Sequence, residues 1–165
     1  MKFYFQIMES PVGQLYLVAG GSALCGIVFR KTWPEFKKKF EGLEEAGSPV
    51  LTETRQQLHE YFNGKREAFD LPMKLEGTVF QNRVWSSLSK IPFGKTITYK
   101  QQAVSINSPA AARAVGRTNG LNPFCIVLPC HRVIGSSGAL TGYAGGLKAK
   151  KYLLDLEGSK KNIQD

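Results

Sequence analysis

The sequence predicts an α/β (α+β) chain in two parts: a small strand-rich front domain over residues 1–76, and a helical back domain over residues 77–165 that contains a helix-turn-helix. Three observations carry this reading. The runs "FYFQIM", "QLYLVAG" and "ALCGIVF" have β-forming composition and follow one another closely. Beyond residue 77 the local signals are those of helix starts. The charge also changes there: residues 1–76 hold ten Lys/Arg and ten Asp/Glu, residues 77–165 hold twelve against three, and no acidic residue lies between Glu76 and Asp155.

In the front domain, "SPVG" and "GG" break the three runs into a meander of antiparallel strands. "WPEFKKKF" reads as a short helix. A longer helix spans "SPVLTETRQQLHEYFNGK", with Ser48 as N-cap, Pro49 in the first helical position and Asn63-Gly64 as the stop. Leu51, Leu58 and Phe62 share one face, which makes His59 beside them a structural residue; Cys25, inside the third strand, reads as a small core residue. The expected role of this half is support.

The back domain opens with "TVFQNRVWSSL", where Thr78 and Gln81 have capping-box spacing and Phe80, Val84, Trp85 and Leu88 make an apolar stripe. After the turn "IPFGK", Thr98 and Gln101 repeat the device and put Tyr99 at the first helical position. Ser108 and Pro109 then start a third helix, "PAAARAVGRTNG". Two short helices joined by a few residues form a helix-turn-helix pattern. The second is nearly bare, so one long cationic side chain, Arg113, projects from a smooth surface that could approach a nucleic-acid groove. Turns follow at Asn119-Gly120 and Asn122-Pro123. "FCIVL" reads as a buried strand with Cys125 in the core, Pro129 stops it, and "GSSG" and "GYAGG" are loops. The last helix runs from about Leu147 to Glu157, packed by Leu153, Leu154 and Leu156, kept basic by Lys148, Lys150 and Lys151, and ended by Gly158.

Composition narrows the function. The N-terminus "MKFYFQIMESPVG" has no long apolar region, so no signal peptide is expected, and no run approaches a membrane span. Cys25, Cys125 and Cys130 form no CxxC pair and read as reduced thiols of a cytoplasmic protein. With His59 and His131 as the only histidines, ligand spacing for zinc is missing, so no metal is expected. A stretch of 78 residues without a carboxylate is hard to obtain on an ordinary mixed surface, and it favours a polyanion partner, nucleic acid first.

Chemistry concentrates in "VLPCHRVIG", which sets Cys130 beside His131 and Arg132 where the chain turns after an apolar run. A nearby imidazole or cation lowers a thiol pKa from ~8.5 toward ~7 and makes it a nucleophile. A third, orienting group would have to be Asp155, Glu157 or something from the front half, since residues 77–154 lack a carboxylate.

"LPCHRV", preceded by "NP" and followed by "SSG" and "GYAGG", resembles the methylated-DNA–protein-cysteine methyltransferases, also called O6-alkylguanine-DNA alkyltransferases. The Pro-Cys-His-Arg-Val core is highly specific to that family. The resemblance extends back through "AAARAVG", "ITYKQQA" and "FQNRVW" and forward to "YLLDLEG", covering residues 77–158; the front half agrees in size and strand pattern. It implies a ribonuclease-H-like front domain without that enzyme's active site, and a DNA-binding back domain. It further implies DNA repair in which Cys130 takes the alkyl group from guanine O6 irreversibly, once per molecule, after base flipping. His131 would deprotonate Cys130 through a water, Glu157 would orient His131, and Asn122 would support the Cys loop. Tyr99 would serve the flipped base and a phosphate. The carbonyls of Cys130 and Val133 would accept the exocyclic amine, the Ala144 N–H would face O6, and Tyr143 would pack the pocket. Arg113 would replace the extruded nucleotide, Ala112 and Ala114 would let the helix lie in the minor groove, and Lys100 and Ser136 would join the DNA contacts.

No cofactor is implied, and the protein would act as a monomer on double-stranded DNA carrying O6-alkylguanine, with O4-alkylthymine a second candidate lesion. Ala144 stands where many relatives carry Ser, a change of little weight for a backbone role. Asn119 stands where some have a bulkier apolar residue over the pocket. The residues taken alone also admit a DNA-binding module with an incidental Cys130, or a thiol hydrolase that turns over.

Overall fold

In the computed structural model, which describes residues 1–158, the chain divides into two units. One comprises Met1–Leu75 with Pro123–Cys125; the other comprises Glu76–Asn122 and the chain from Ile126 onward.

The first unit is built on the expected meander. Strands β1 (Phe3–Met8), β2 (Leu15–Gly20) and β3 (Ala23–Phe29) pair antiparallel, with a register shift at Val18/Ala19. Alternation splits β2 between two apolar faces. Tyr16 and Val18 join Val28, Trp33 and Phe36 in one cluster, and Leu15 and Leu17 are buried on the other face. Helix α1 (Trp33–Phe36), continued by a 3-10 turn over Lys37–Lys39, supplies the aromatic side of that cluster. A short strand the sequence did not signal, β4 (Glu44–Glu45), pairs parallel to β1.

Helix α2 (Pro49–Phe62) starts as expected: the Ser48 hydroxyl accepts from Leu51 N, Pro49 occupies the first turn, and Gly64 follows with φ +73°. Its buried face is Leu51, Thr54, Gln57, Leu58 and Tyr61, so the apolar stripe ends on Tyr61 while Phe62 is half-buried. His59 is exposed rather than built into the core, because it lies on the helix side opposite that face. Cys25 is half-buried at the rim of the aromatic cluster, on a strand whose side chains alternate.

"FCIVL" does not form the predicted strand. Phe124 makes a single bridge to Ile27, with Ile27 N donating to Pro123 O and Cys125 N to Ile27 O, and Ile126 then turns the chain at φ +75°. The run is apolar because it is buried, and burial alone does not impose a strand. With the Leu24–Met73 bridge it covers the outer edge of β3, which would otherwise present unpaired backbone groups.

In the second unit, α3 (Val79–Leu88) and α4 (Tyr99–Ser105) each begin with a complete capping box, Thr78 with Gln81 and Thr98 with Gln101. Val84, Trp85 and Leu88 form the buried stripe of α3, while Phe80 is half-buried. Helix α5 (Ala112–Asn119) starts three residues later than the sequence suggests. Ser108-Pro109-Ala110-Ala111 instead closes a turn, with Ala111 N donating to Ser108 O at 2.9 Å, so Ser108 caps nothing. Asn119, expected in a turn, is the last helical residue. Trp85 Nε1 donates to Thr118 O at 2.8 Å, and the Gln102 and Asn119 amides bond reciprocally, locking α5 onto α3 and α4. Helix α6 (Leu147–Leu156) is flanked by Gly146 and Gly158, both at positive φ. Leu153 and Leu154 are buried in it and Leu156 half-buried; Lys150, expected as a basic surface residue, is 0% exposed.

Candidate active site

Two short strands set the geometry. β5 (Ile97–Thr98) and β6 (Val133–Ile134) pair parallel, Ile97 opposite Val133 and Thr98 opposite Ile134. Because Thr98 also caps α4, Tyr99 at its first turn is brought beside the strand that follows Cys130. Cys130–Arg132 form a 3-10 turn entered through Pro129, with Arg132 N donating to Pro129 O at 3.0 Å. Asn122 Nδ2 donates to Leu128 O at 2.7 Å and the same side chain hydrogen-bonds Cys130, so one amide pins the approach to the turn and its thiol.

Below the thiol lies a buried charge cluster. His131 Nε2 is 2.8 Å from Glu157 Oε2; Arg132 donates to both oxygens of the same carboxylate and, through Nη1, to Ile91 O at 2.6 Å. Burial alone would raise the Glu157 pKa, but bonds from His131 and the fixed charge of Arg132 outweigh it and lower it to about 2. Burial lowers the pKa of His131 against the pull of Glu157, so the ring is neutral. An ionised carboxylate only accepts, hence the ring proton sits on Nε2, and Nδ1, buried without a hydrogen-bond partner, keeps its lone pair.

Cys130 is 6% exposed. Burial pushes its thiol pKa up, and the Asn122 hydrogen bond and the Lys150 charge offset this only in part. This reverses the sequence expectation of a lowered thiol pKa: adjacency to His131 brings no charge, because that ring is itself buried and neutral. Lys150 donates to Val133 O at 2.7 Å and Thr141 O at 3.0 Å, and burial lowers its pKa to about 8. The Tyr99 hydroxyl accepts from Thr141 Oγ1 at 2.9 Å, and burial raises its pKa.

An open cleft of about 760 Å³ is lined by Tyr99, Lys100, Ala112, Arg113, Gly116, Gly120, Ser136, Thr141, Gly142, Tyr143 and Ala144. A space of about 20 Å³ shares Tyr99, Gly116, Gly120, Gly142, Tyr143 and Ala144 with it and adds Asn119 and Cys130. A cleft wide enough for a planar base thus narrows to a volume near that of one water-sized group beside the thiol. The Tyr143 ring meets the His131 ring edge-on at 6.4 Å.

Comparison with known proteins decides the family. Residues 79–159 match the 6-O-methylguanine DNA methyltransferase DNA binding domain, and residues 3–75 match the ribonuclease-like domain of the same proteins. The methylated-DNA–protein-cysteine methyltransferase of Methanosarcina barkeri is 47% identical over 93% of this chain and 96% of its own length. The constitutive one of Bacillus subtilis is 40% identical over 93% and 94%. The crystal structure of the Mycobacterium tuberculosis O6-methylguanine methyltransferase superposes with a TM-score of 0.86 at 42% identity, covering 95% of this chain and 93% of that one. The chain belongs to the methylated-DNA–protein-cysteine methyltransferase family.

Of the residues the resemblance to these methyltransferases singles out, Cys130, Asn122, His131 and Glu157 meet in one buried cluster. Tyr99, Lys100, Ala112, Arg113, Ser136, Tyr143 and Ala144 line the adjoining cleft. Ala114 is half-buried and is not among the cleft-lining residues. Val133 is fully buried, and its carbonyl accepts from Lys150. Sequence reasoning missed Lys150 and the pairing of Arg132 with Glu157. The basic residues of α6 read as surface charge, and only the spacing of Lys150 from the buried Leu153 and Leu154 on one helix face could have signalled its burial. No group of three or more His, Cys, Asp or Glu converges on one point among the described residues, and none of their helices is long and apolar enough to cross a membrane.

Proposed function

We propose that this protein repairs double-stranded DNA by moving an alkyl group, a methyl in the simplest case, from guanine O6 onto the sulfur of Cys130. The observation that carries the reading is the position of Cys130 on the wall of the narrow inner cavity, next to a histidine whose Nε2–H is committed to Glu157 and whose Nδ1 is left to receive a proton.

The thiol of the free protein is protonated, so its proton must leave as attack begins. His131 Nδ1 takes it, directly or across a water, while Glu157 and Arg132 hold the ring in the required tautomer and stabilise the imidazolium. A sulfur lone pair forms the new S–C bond as the C–O6 bond breaks. The released electron pair enters the guanine ring, which takes up a proton and ends as ordinary guanine, so the net transfer moves the thiol proton to the base. Tyr99, neutral because burial raises its pKa, offers a hydroxyl to the ring as that negative charge develops. The carbonyls of Cys130 and Val133, the latter through the lone pair that Lys150 leaves open, and the N–H of Ala144 fix the base edge. The thioether product has no easy way back to a thiol, and each molecule, acting as a monomer, reacts once.

The reacting carbon lies inside a stacked duplex, so the base must be turned out at a cost of a few kcal/mol. Arg113 stands exposed on α5 at the cleft and fills the gap in the stack, Ala112 and Ala114 keep the helix surface low in the minor groove, and Lys100 and Ser136 contact the backbone. Intact mass after mixing with a duplex carrying one O6-methylguanine tests the reading. A gain of one methyl per protein, mapped to Cys130 and absent in Cys130→Ser, is expected; bound lesion with no mass change would overturn it.

A further inference from the structure

Lys150 is a lysine with no carboxylate partner in a fully buried place. Its Nζ is satisfied by two carbonyl oxygens, Val133 O and Thr141 O, and lies 5.9 Å from the centre of the Tyr99 ring. Carbonyls solvate an ammonium but do not neutralise it. Among the described residues no Asp or Glu is within ion-pair distance of it: Asp155, the acid nearest in sequence, is exposed, and Glu157 is already engaged by Arg132 and His131. A buried charge left this way costs several kcal/mol, so its retention calls for a reason.

The groups around it narrow that reason. Tyr99, facing it from α4, is neutral at pH 7. On the Cys130–Arg132 turn, His131 is neutral and the charge of Arg132 is matched by Glu157. That leaves, among the described residues, one neighbour able to become an anion in place: Cys130, whose negative charge acts on Lys150 and which feels Lys150 in return. The two carbonyls add position to charge, since Val133 belongs to the strand leaving the Cys130 turn and Thr141 to the loop whose hydroxyl holds Tyr99.

We propose that Lys150 is a positioning residue for the alkyl transfer: its buried ammonium is the standing counter-charge for the Cys130 thiolate, and its two carbonyl bonds hold the Cys130 strand and the Tyr99-bearing loop at fixed separation. The inference rests on Cys130 being the alkyl acceptor. The ammonium makes the thiol proton easier to remove, since its charge favours the thiolate.

The test is free of DNA. The pH midpoint of Cys130 is read from thiolate ultraviolet absorbance, as the difference from Cys130→Ser, and from the rate of iodoacetamide labelling at Cys130. Lys150→Met is expected to raise the midpoint by about one unit, a tenfold loss of labelling rate at neutral pH; Lys150→Arg is expected to keep it. A folded Lys150→Met protein with the wild-type midpoint, or a Lys150→Arg protein shifted as far as Lys150→Met, would overturn the proposal. Should Lys150→Met not fold, nitrogen-15 titration of the Lys150 ammonium in wild type and in Cys130→Ser decides: a lower midpoint without the thiol supports the pairing, and equal midpoints overturn it. If methyl transfer from DNA proceeds while these midpoints do not move, this inference fails alone; if the midpoints move and no methyl is transferred, the functional reading fails alone.

Discussion

Arg132 grips Glu157 through two nitrogens, Nε on Oε1 at 2.8 Å and Nη2 on Oε2 at 3.0 Å, while His131 takes a place on the same carboxylate. Neither partner of the ion pair has meaningful access to water. Removing the charge of one leaves the other buried and unmatched, which costs roughly 3–5 kcal/mol in such settings. Glu157→Gln should therefore lower unfolding free energy by about that amount in urea titrations. It should also slow methyl transfer about a hundredfold or more, because His131 loses the acceptor that fixes its tautomer. A variant as stable as wild type would mean the cluster is not closed as described.

The same cluster sets the acid limit of stability. Glu157 falls from the ordinary 4.5 to about 2 on folding, so its contribution is fully present above about 4.5 and is lost as pH falls toward about 2. That shift corresponds to about 3 kcal/mol. His131 adds a loss at higher pH: buried neutral, it resists a proton that the unfolded chain accepts below about 6.5. Stability should thus begin to fall just below pH 6.5 and drop again below 4.5. Urea midpoints measured across this range check it, and His131→Gln should remove the upper step while leaving a lower step, held by Arg132, in place.

How much of this was legible depends on how local the determinant is. Both capping boxes were readable because Thr78 with Gln81 and Thr98 with Gln101 act across three residues, and they place Tyr99 without reference to anything else. The family motif likewise marked Cys130, His131 and Glu157. The start of α5 differs from the sequence reading because Ser108-Pro109 is equally good as the start of a turn, and here Ala111 N donates to Ser108 O while no side chain caps the helix. The stretch after Pro123 differs from the sequence reading because its partner, Ile27, is nearly a hundred residues away in sequence, though in the same unit. Lys150 was misread for the same reason: its partners are carbonyls, which leave no trace in the side-chain sequence.

Arg113 should separate duplex chemistry from thiol chemistry. It is exposed on α5 and lines the cleft, with no part in the buried cluster. If it fills the stack when the base turns out, Arg113→Ala leaves that cost of a few kcal/mol uncompensated, and methyl transfer from duplex DNA should slow by ~10–100-fold. Transfer from a single-stranded oligonucleotide, where little stacking is broken, and iodoacetamide labelling of Cys130 should stay near wild type. Equal losses on single- and double-stranded substrate would show that Arg113 serves general phosphate binding instead.

Gly116 offers the opposite separation, of stability from function. It lies inside α5, where glycine costs a helix roughly 0.5–1 kcal/mol relative to alanine. A Cβ placed there would rest 3.6 Å from Tyr99 Cδ1 and 3.7 Å from Cε1, ordinary contacts that require nothing to shift. Gly116→Ala should therefore fold and raise the melting temperature. Yet Gly116 borders both the open cleft and the narrow space beside Cys130, so the added methyl takes up room beside Tyr99 in the cleft proposed to receive the flipped base. Methyl transfer from DNA should fall while iodoacetamide labelling, which needs no base in the cleft, should not. A more stable protein with undiminished transfer would move the base away from Gly116, and with it the assignment of the cleft.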